Sequence, residues 1–232
     1  MFNGMVEVVP SLDPAKFEVL GSDMQILNVK VAPGGGDQVK SEPGTMVYME
    51  PAIKMSVDCV DCVTGCKREC AGAPPVMATF SNDSNADAVV GLTPNFPAKI
   101  IPLLLTPNVA YRCKQGAYMA SYGQVFIDYN INCSPTSCCD GIGCIRQVVR
   151  GDGTAFLAAM GTLMTKELAA GERIKVDTDS VVAWTENAEL VRDVEHEFTL
   201  PNWPAGHCLA MARARSDPLW AAPHLPSPRK FQ

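Results

Sequence analysis

Three segments of the chain, 28 to 51, 100 to 123 and 163 to 186, superimpose without a gap at offsets of 72 and 63 residues. They read NVKVAPGGGDQVKSEPGTMVYMEP, IIPLLLTPNVAYRCKQGAYMASYG and LMTKELAAGERIKVDTDSVVAWTE. In each, a strand-like run leads to a turn, at Pro33–Gly36, Thr106–Asn108 and Ala169–Glu172. Apolar/polar alternation follows, at Val39-Lys40, Tyr111-Arg112 and Ile174-Lys175-Val176, and then a second turn and a further run. Period-two alternation bounded by Gly, Pro, Asn and Asp is the pattern of half-buried antiparallel strands. The offsets exceed most solenoid units, so each repeat is a several-stranded unit rather than one rung. Three such units bury their apolar faces against one another about a pseudo-threefold axis.

The expected fold is therefore all-β, an antiparallel β-barrel or double-stranded β-helix-like domain of three pseudo-symmetric repeats. Composition agrees: charged residues make up only 19%, with 18 Gly and 18 Pro, which suits short strands and many turns. The domain is placed at 17–197, in units of about 17–98, 99–162 and 163–197. Met46, Val47, Met119, Val181 and Val182 are assigned to the core, and Trp184 to a packed strand. Residues 198–232 hold six prolines without a sustained period. Proline cannot donate to a sheet ladder, so this stretch is expected as an irregular Pro-rich tail. The third unit then lacks its closing strand and exposes a sheet edge near 181 to 191.

The stretches EPGTMVYMEPAIKM and LAAGERIKVDTDSVVAW, supported by VVRGDGTAFLAAMGTL, resemble the altered inheritance of mitochondria protein 24 family. The likeness covers about residues 17 to 195. It implies a β-fold like that of the tryptophan RNA-binding attenuation protein, related to double-stranded β-helices. It also implies a link to mitochondrial inner-membrane organisation in some members, with bacterial or cytosolic members besides. It carries over no catalytic residue.

Two cysteine clusters carry the remaining chemical suggestion: Cys59, Cys62, Cys66 and Cys70, and Cys133, Cys138, Cys139 and Cys144. They begin 15 residues past Gly44 and 17 past Gly116, so both are expected at one end of the barrel. Zinc takes two CxxC-like pairs. Cys59 and Cys62 form one such pair, but Cys66 and Cys70 follow at helical spacing. Plain thiols, a metal site, S-acylation and redox chemistry remain alternatives, with plain thiols preferred.

An enzyme would need more parts. The three histidines, His196, His207 and His224, stand at or beyond the end of the recognisable domain, and PGGGDQ lacks the Lys-Ser/Thr of a phosphate loop. The expectation is a non-enzymatic protein without cofactor, and no catalytic, cofactor-binding or metal residue is assigned. With a net charge of −6 and no basic run, no nucleic-acid partner is expected. Protein partners or self-association are expected, with peripheral membrane association as a further option. The start lacks the basic and apolar regions of a secretory signal, which gives a cytoplasmic expectation with mitochondria as the alternative. The function that follows is a scaffold or assembly protein. The alternative is a binding module for a small ligand, metal or nucleic acid.

Overall fold

The computed structural model describes residues 5–7, 12–34, 38–131, 145–177, 180–192, 209–213 and 218–221. Its strands begin with β1 (Val6–Glu7), β2 (Phe17–Leu20), β3 (Ile26–Val31), β4 (Val39–Ser41), β5 (Met46–Met49) and β6 (Ile53–Cys59). A helix, α1 (Cys62–Cys70), precedes β7 (Val76–Asn82), β8 (Ala88–Leu92), β9 (Lys99–Leu105), β10 (Tyr111–Lys114), β11 (Tyr118–Ile131) and β12 (Ile145–Ala159). The last strands are β13 (Met164–Glu167), β14 (Arg173–Asp177), β15 (Val181–Thr185), β16 (Glu189–Arg192), β17 (Leu209–Arg213) and β18 (Pro218–Ala221).

The fold is all-β, and its strand pairs are antiparallel. They form an 11-stranded sheet in the order β1-β13-β18-β15-β10-β12-β11-β4-β7-β6 with β9 on β12, a four-stranded sheet β2-β3-β8-β5, and a three-stranded sheet β14-β17-β16. The sheets are open, so the expected barrel is not closed among the described residues.

Each of the three sequence segments holds three strands in one order: β3-β4-β5, β9-β10-β11 and β13-β14-β15. Their pairings also match. Val39 lies opposite Tyr122 and Ser41 opposite Ala120, while Tyr111 lies opposite Thr185 and Cys113 opposite Ala183. A register shift falls between Met46 and Tyr48, between Tyr118 and Ala120, and between Val181 and Ala183, at one aligned position. The first strands depart from the gapless alignment. Leu27 faces Leu92 where Ile101 faces Leu157 and Met164 faces Ala221, which displaces β3 by two residues. The glycine-rich stretch 32–38 between β3 and β4 is two residues longer than 106–110 between β9 and β10, and takes up the difference.

The tail differs from its expectation. Within 198–232 the described residues are strands, β17 and β18, and both are paired on two sides. Ile174 faces Ala212, as Tyr111 faces Val149 and Val39 faces Phe80, so β17 takes the place that β12 and β7 take earlier. Proline does not prevent this because Pro218 is the first residue of β18, where a missing N–H is tolerated. The edge expected near 181 to 191 is filled along β15, which lies between β10 and β18, while β16 pairs with β17 and ends its sheet among the described residues.

One strand shows how a residue pattern sets the course of the chain. β12 pairs with β10 over Arg146–Val149 and with β9 over Gly153–Ala159. The changeover lies at Gly151 and Gly153, with φ of 131° and 148°. A Cβ at these positions would run into the carbonyl oxygens of Gln124 and Tyr122, so only glycine lets β11 and β12 stay paired through the crossing.

The apolar faces gather into clusters that follow the segments. Phe17, Leu27, Val29, Phe80 and Val90 belong to the first, and Ile101, Leu103, Val149 and Leu157 to the second. Leu168, Val181 and Trp184 form a third, with Ile174 and Val176 packed on it. Phe17 meets Tyr122 and Phe156 edge-on, each at 5.2 Å between ring centres. Met119, Val181, Val182 and Trp184 are core residues. Met46 and Val47 are not: they are exposed, because β5 is the end strand of its sheet.

Candidate functional site

The first cysteine cluster lies on and just before α1. Asp61 starts the helix, its Oδ1 accepting from the backbone N–H groups of Val63 and Thr64, both at 3.1 Å. A hydrogen bond from the Thr64 side chain, joined by these backbone bonds, holds the Asp61 carboxyl below the usual carboxylate range. Spacing by four puts Cys62, Cys66 and Cys70 on one helix face, and all three are exposed, as is Cys59 at the end of β6. Arg68 and Gly65 occupy the other side and are buried.

Arg68 fixes that helix to the sheet. Its Nη1 and Nη2 donate to Glu42 Oε1 and Oε2 at 3.0 and 2.6 Å. Nη1 also donates to the Tyr129 hydroxyl, Nη2 to the Val76 carbonyl and Nε to the Pro74 carbonyl. All five guanidinium N–H groups are thereby used. The Tyr129 hydroxyl accepts a further bond from Gln147 Nε2, and Gln147 Oε1 accepts from the Tyr118 N–H. Burial raises the Glu42 carboxyl above its ordinary value, against the pull of Arg68. Burial works to lower the Arg68 value, and Glu42 more than offsets it. The two-pronged contact is that of an ion pair. Beside it lies a cavity of about 590 Å³ whose lining includes Glu42, Phe96, Tyr118, Met119 and Gln147. Arg68, Glu42, Tyr129 and Gln147 are bonded to one another, so this network anchors α1 to the sheet.

The second feature is a set of strand edges. β5, β6 and β14 each end a sheet and have no strand on their outer side among the described residues. Val47 on β5 is 47% exposed, whereas the aligned Met119 and Val182 are 2% and 8% exposed. Tyr48 and Met49 are likewise exposed, as are Met55 and Val57 on β6. On β14, Ile174 and Val176 are half-buried where the aligned Tyr111 and Cys113 are buried.

Among the described residues no group of three or more His, Cys, Asp and Glu is arranged to hold a metal ion. Cys133, Cys138, Cys139 and Cys144, together with His196, His207 and His224, lie outside the described residues. The idea that the two cysteine clusters share one end of the fold therefore falls outside them too. Reading the sequence missed the Arg68–Glu42 pair. Its trace there is slight, an arginine inside a cysteine-rich helix and a carboxylate in a turn 26 residues earlier. No helix among the described residues is long and apolar enough to cross a membrane.

Residues 17–203 match the family described as Mitochondrial biogenesis AIM24. The structure is similar to a crystal structure of a Streptococcus pyogenes protein, with a TM-score of 0.69 and 18% identity. The likeness covers 90% of this chain and 93% of that one, and at this identity it speaks to the fold. No curated protein matches the chain.

Proposed function

Because the chain belongs to the Mitochondrial biogenesis AIM24 family, we propose that it is a non-enzymatic assembly protein serving mitochondrial or membrane organisation. The supporting observation is the state of β5. Residues 46–49 stand exposed although the aligned residues of β11 and β15 are buried. An end strand with apolar side chains and unused backbone groups is a template for another strand, and strand addition supplies main-chain hydrogen bonds along its length. Protein partners, self-association among them, meet that need. Nucleic acid does not, since the net charge is −6. Peripheral contact with a membrane fits the same exposed apolar residues, and the compartment is cytoplasmic or mitochondrial.

Sedimentation of the purified full chain across a concentration series tests this. Assembly predicts species heavier than the 24.9 kDa chain that dissociate in the Val47→Lys variant. A monomer at every concentration, in a chain that also binds no partner through β5, contradicts the reading.

A further inference from the structure

We propose that the cavity between α1 and the aligned turns before β5 and β11 binds a small neutral molecule carrying a hydroxyl group on an apolar ring. The inference goes beyond the assembly reading and does not depend on it.

The cavity measures about 590 Å³, within the range of about 300–1,000 Å³ that small-molecule sites occupy. Four loops wall it: the turns 42–45 and 114–116, aligned in the first two segments, the turn 71–74 after α1, and the stretch 94–96 after β8. Side chains lock these loops in pairs. Asn95 Nδ2 donates to the Pro43 carbonyl at 3.3 Å, and Gln115 Nε2 donates to the Ala71 carbonyl. Pro43, Pro74 and Pro94, all on the lining, each fix a backbone φ. The walls are therefore set before a ligand arrives, and binding has little loop ordering to offset.

The lining divides by chemistry. Met119 and Ala158 supply buried apolar surface, and Phe96 stands 38% exposed with no ring partner among the described residues. An apolar ring in this half covers Phe96 and displaces water that has poor partners there. The polar half holds Glu42 and Gln147. Each Glu42 oxygen accepts one bond from Arg68 and, as a carboxylate oxygen, can accept another. Gln147 Nε2 gives one N–H to the Tyr129 hydroxyl, and its second N–H has no partner among the described residues. Gln147 is 2% exposed, so that N–H is a buried donor left over. A hydroxyl meets both needs, donating to Glu42 and accepting from Gln147. A charged group does not. Arg68 already neutralises Glu42, so a cation would bring an unpaired charge into the site, and an anion would meet the carboxylate. Lys114, the other charged residue on the lining, has an interaction of its own.

The test titrates the nitrogen-15 full chain with p-cresol and, separately, with benzoate and benzylamine, which match it in size and carry opposite charges. By amide NMR, p-cresol should shift Gly72, Asn95, Phe96 and Gly116 saturably. It should also bind tighter than either charged probe by about tenfold or more. Phe96→Ala removes an exposed side chain, so the melting temperature should hold while p-cresol affinity falls about tenfold. No saturable shift at these amides, or equal p-cresol binding by Phe96→Ala, overturns the site. Benzoate or benzylamine binding as tightly as p-cresol overturns the choice of a neutral hydroxyl ligand. None of these outcomes bears on whether the chain assembles, which sedimentation reads separately.

Discussion

Arg68 grips Glu42 with both arms of its guanidinium, at 2.6 and 3.0 Å, and so ties the outward-facing cysteine helix to the turn that opens β5. Both side chains are largely withdrawn from water. Removing one partner strands a buried charge, a change that costs about 3–5 kcal/mol. Arg68→Met is expected to lower stability by that order in urea unfolding, and Glu42→Met in the Arg68→Met background to return part of it. If Arg68→Met unfolds with the wild-type midpoint, the pair does not anchor the helix.

Acid should loosen the same helix from another side. Asp128 accepts from Lys67 Nζ at 2.9 Å, and this bond holds its carboxyl below the usual range. A carboxyl depressed in the folded chain stabilises it above the unfolded value, about 4, and the gain is lost as pH falls through the folded value. Glu42 is raised and works in the opposite sense, so the comparison is with Asp128→Asn. The wild type should lose melting temperature more steeply than this variant below about pH 4. Parallel curves would remove Asp128 from the account.

Gly153 should not accept a side chain. Its φ of 148° and the Tyr122 carbonyl beside it make Gly153→Val destabilising by about 1–3 kcal/mol, although valine favours strands. Thermal unfolding decides this, and an unchanged or raised melting temperature contradicts the crossing described for β11 and β12.

Thiol labelling separates the described cysteines. Cys59, Cys62, Cys66 and Cys70 are exposed, whereas Cys113 is buried and its thiol is pushed up by burial. A maleimide should modify the first four in the native chain and Cys113 only after unfolding. Native labelling of Cys113, or protection of the helix thiols together with a stoichiometric zinc content, would contradict this arrangement.

The tail should matter for folding. Met211 pairs through its backbone with Lys175 on one side and Val191 on the other. Met211→Pro removes an N–H from this central strand and should lower the melting temperature by several degrees. An unchanged value would return 209–213 to the irregular tail that its prolines suggest.

The sequence exposes some of these features and hides others for physical reasons. The strands of the three segments could be read from alternation and turns, because both are local. The two extra residues ahead of β4 could not, since glycine-rich turns absorb insertions without disturbing the pattern. β17 and β18 escaped notice because LAMAR has no β-branched residue and β18 begins on proline. Met46 and Val47 have the residue types of a core, but exposure depends on whether another strand lies alongside, and alternation within one strand carries no such information. The Arg68–Glu42 pair joins a helix to a turn, and only the fold brings those together.

Amide hydrogen exchange along β5 tests the assembly account most directly. Among the described residues no strand lies on the outer edge of residues 46–49, so the amides there should exchange fast at low protein concentration and slow progressively as concentration rises. Residues 120–122 of β11, already covered by β4, should show no such dependence. Exchange in β5 that is independent of concentration, whether fast or slow, would contradict assembly through this strand.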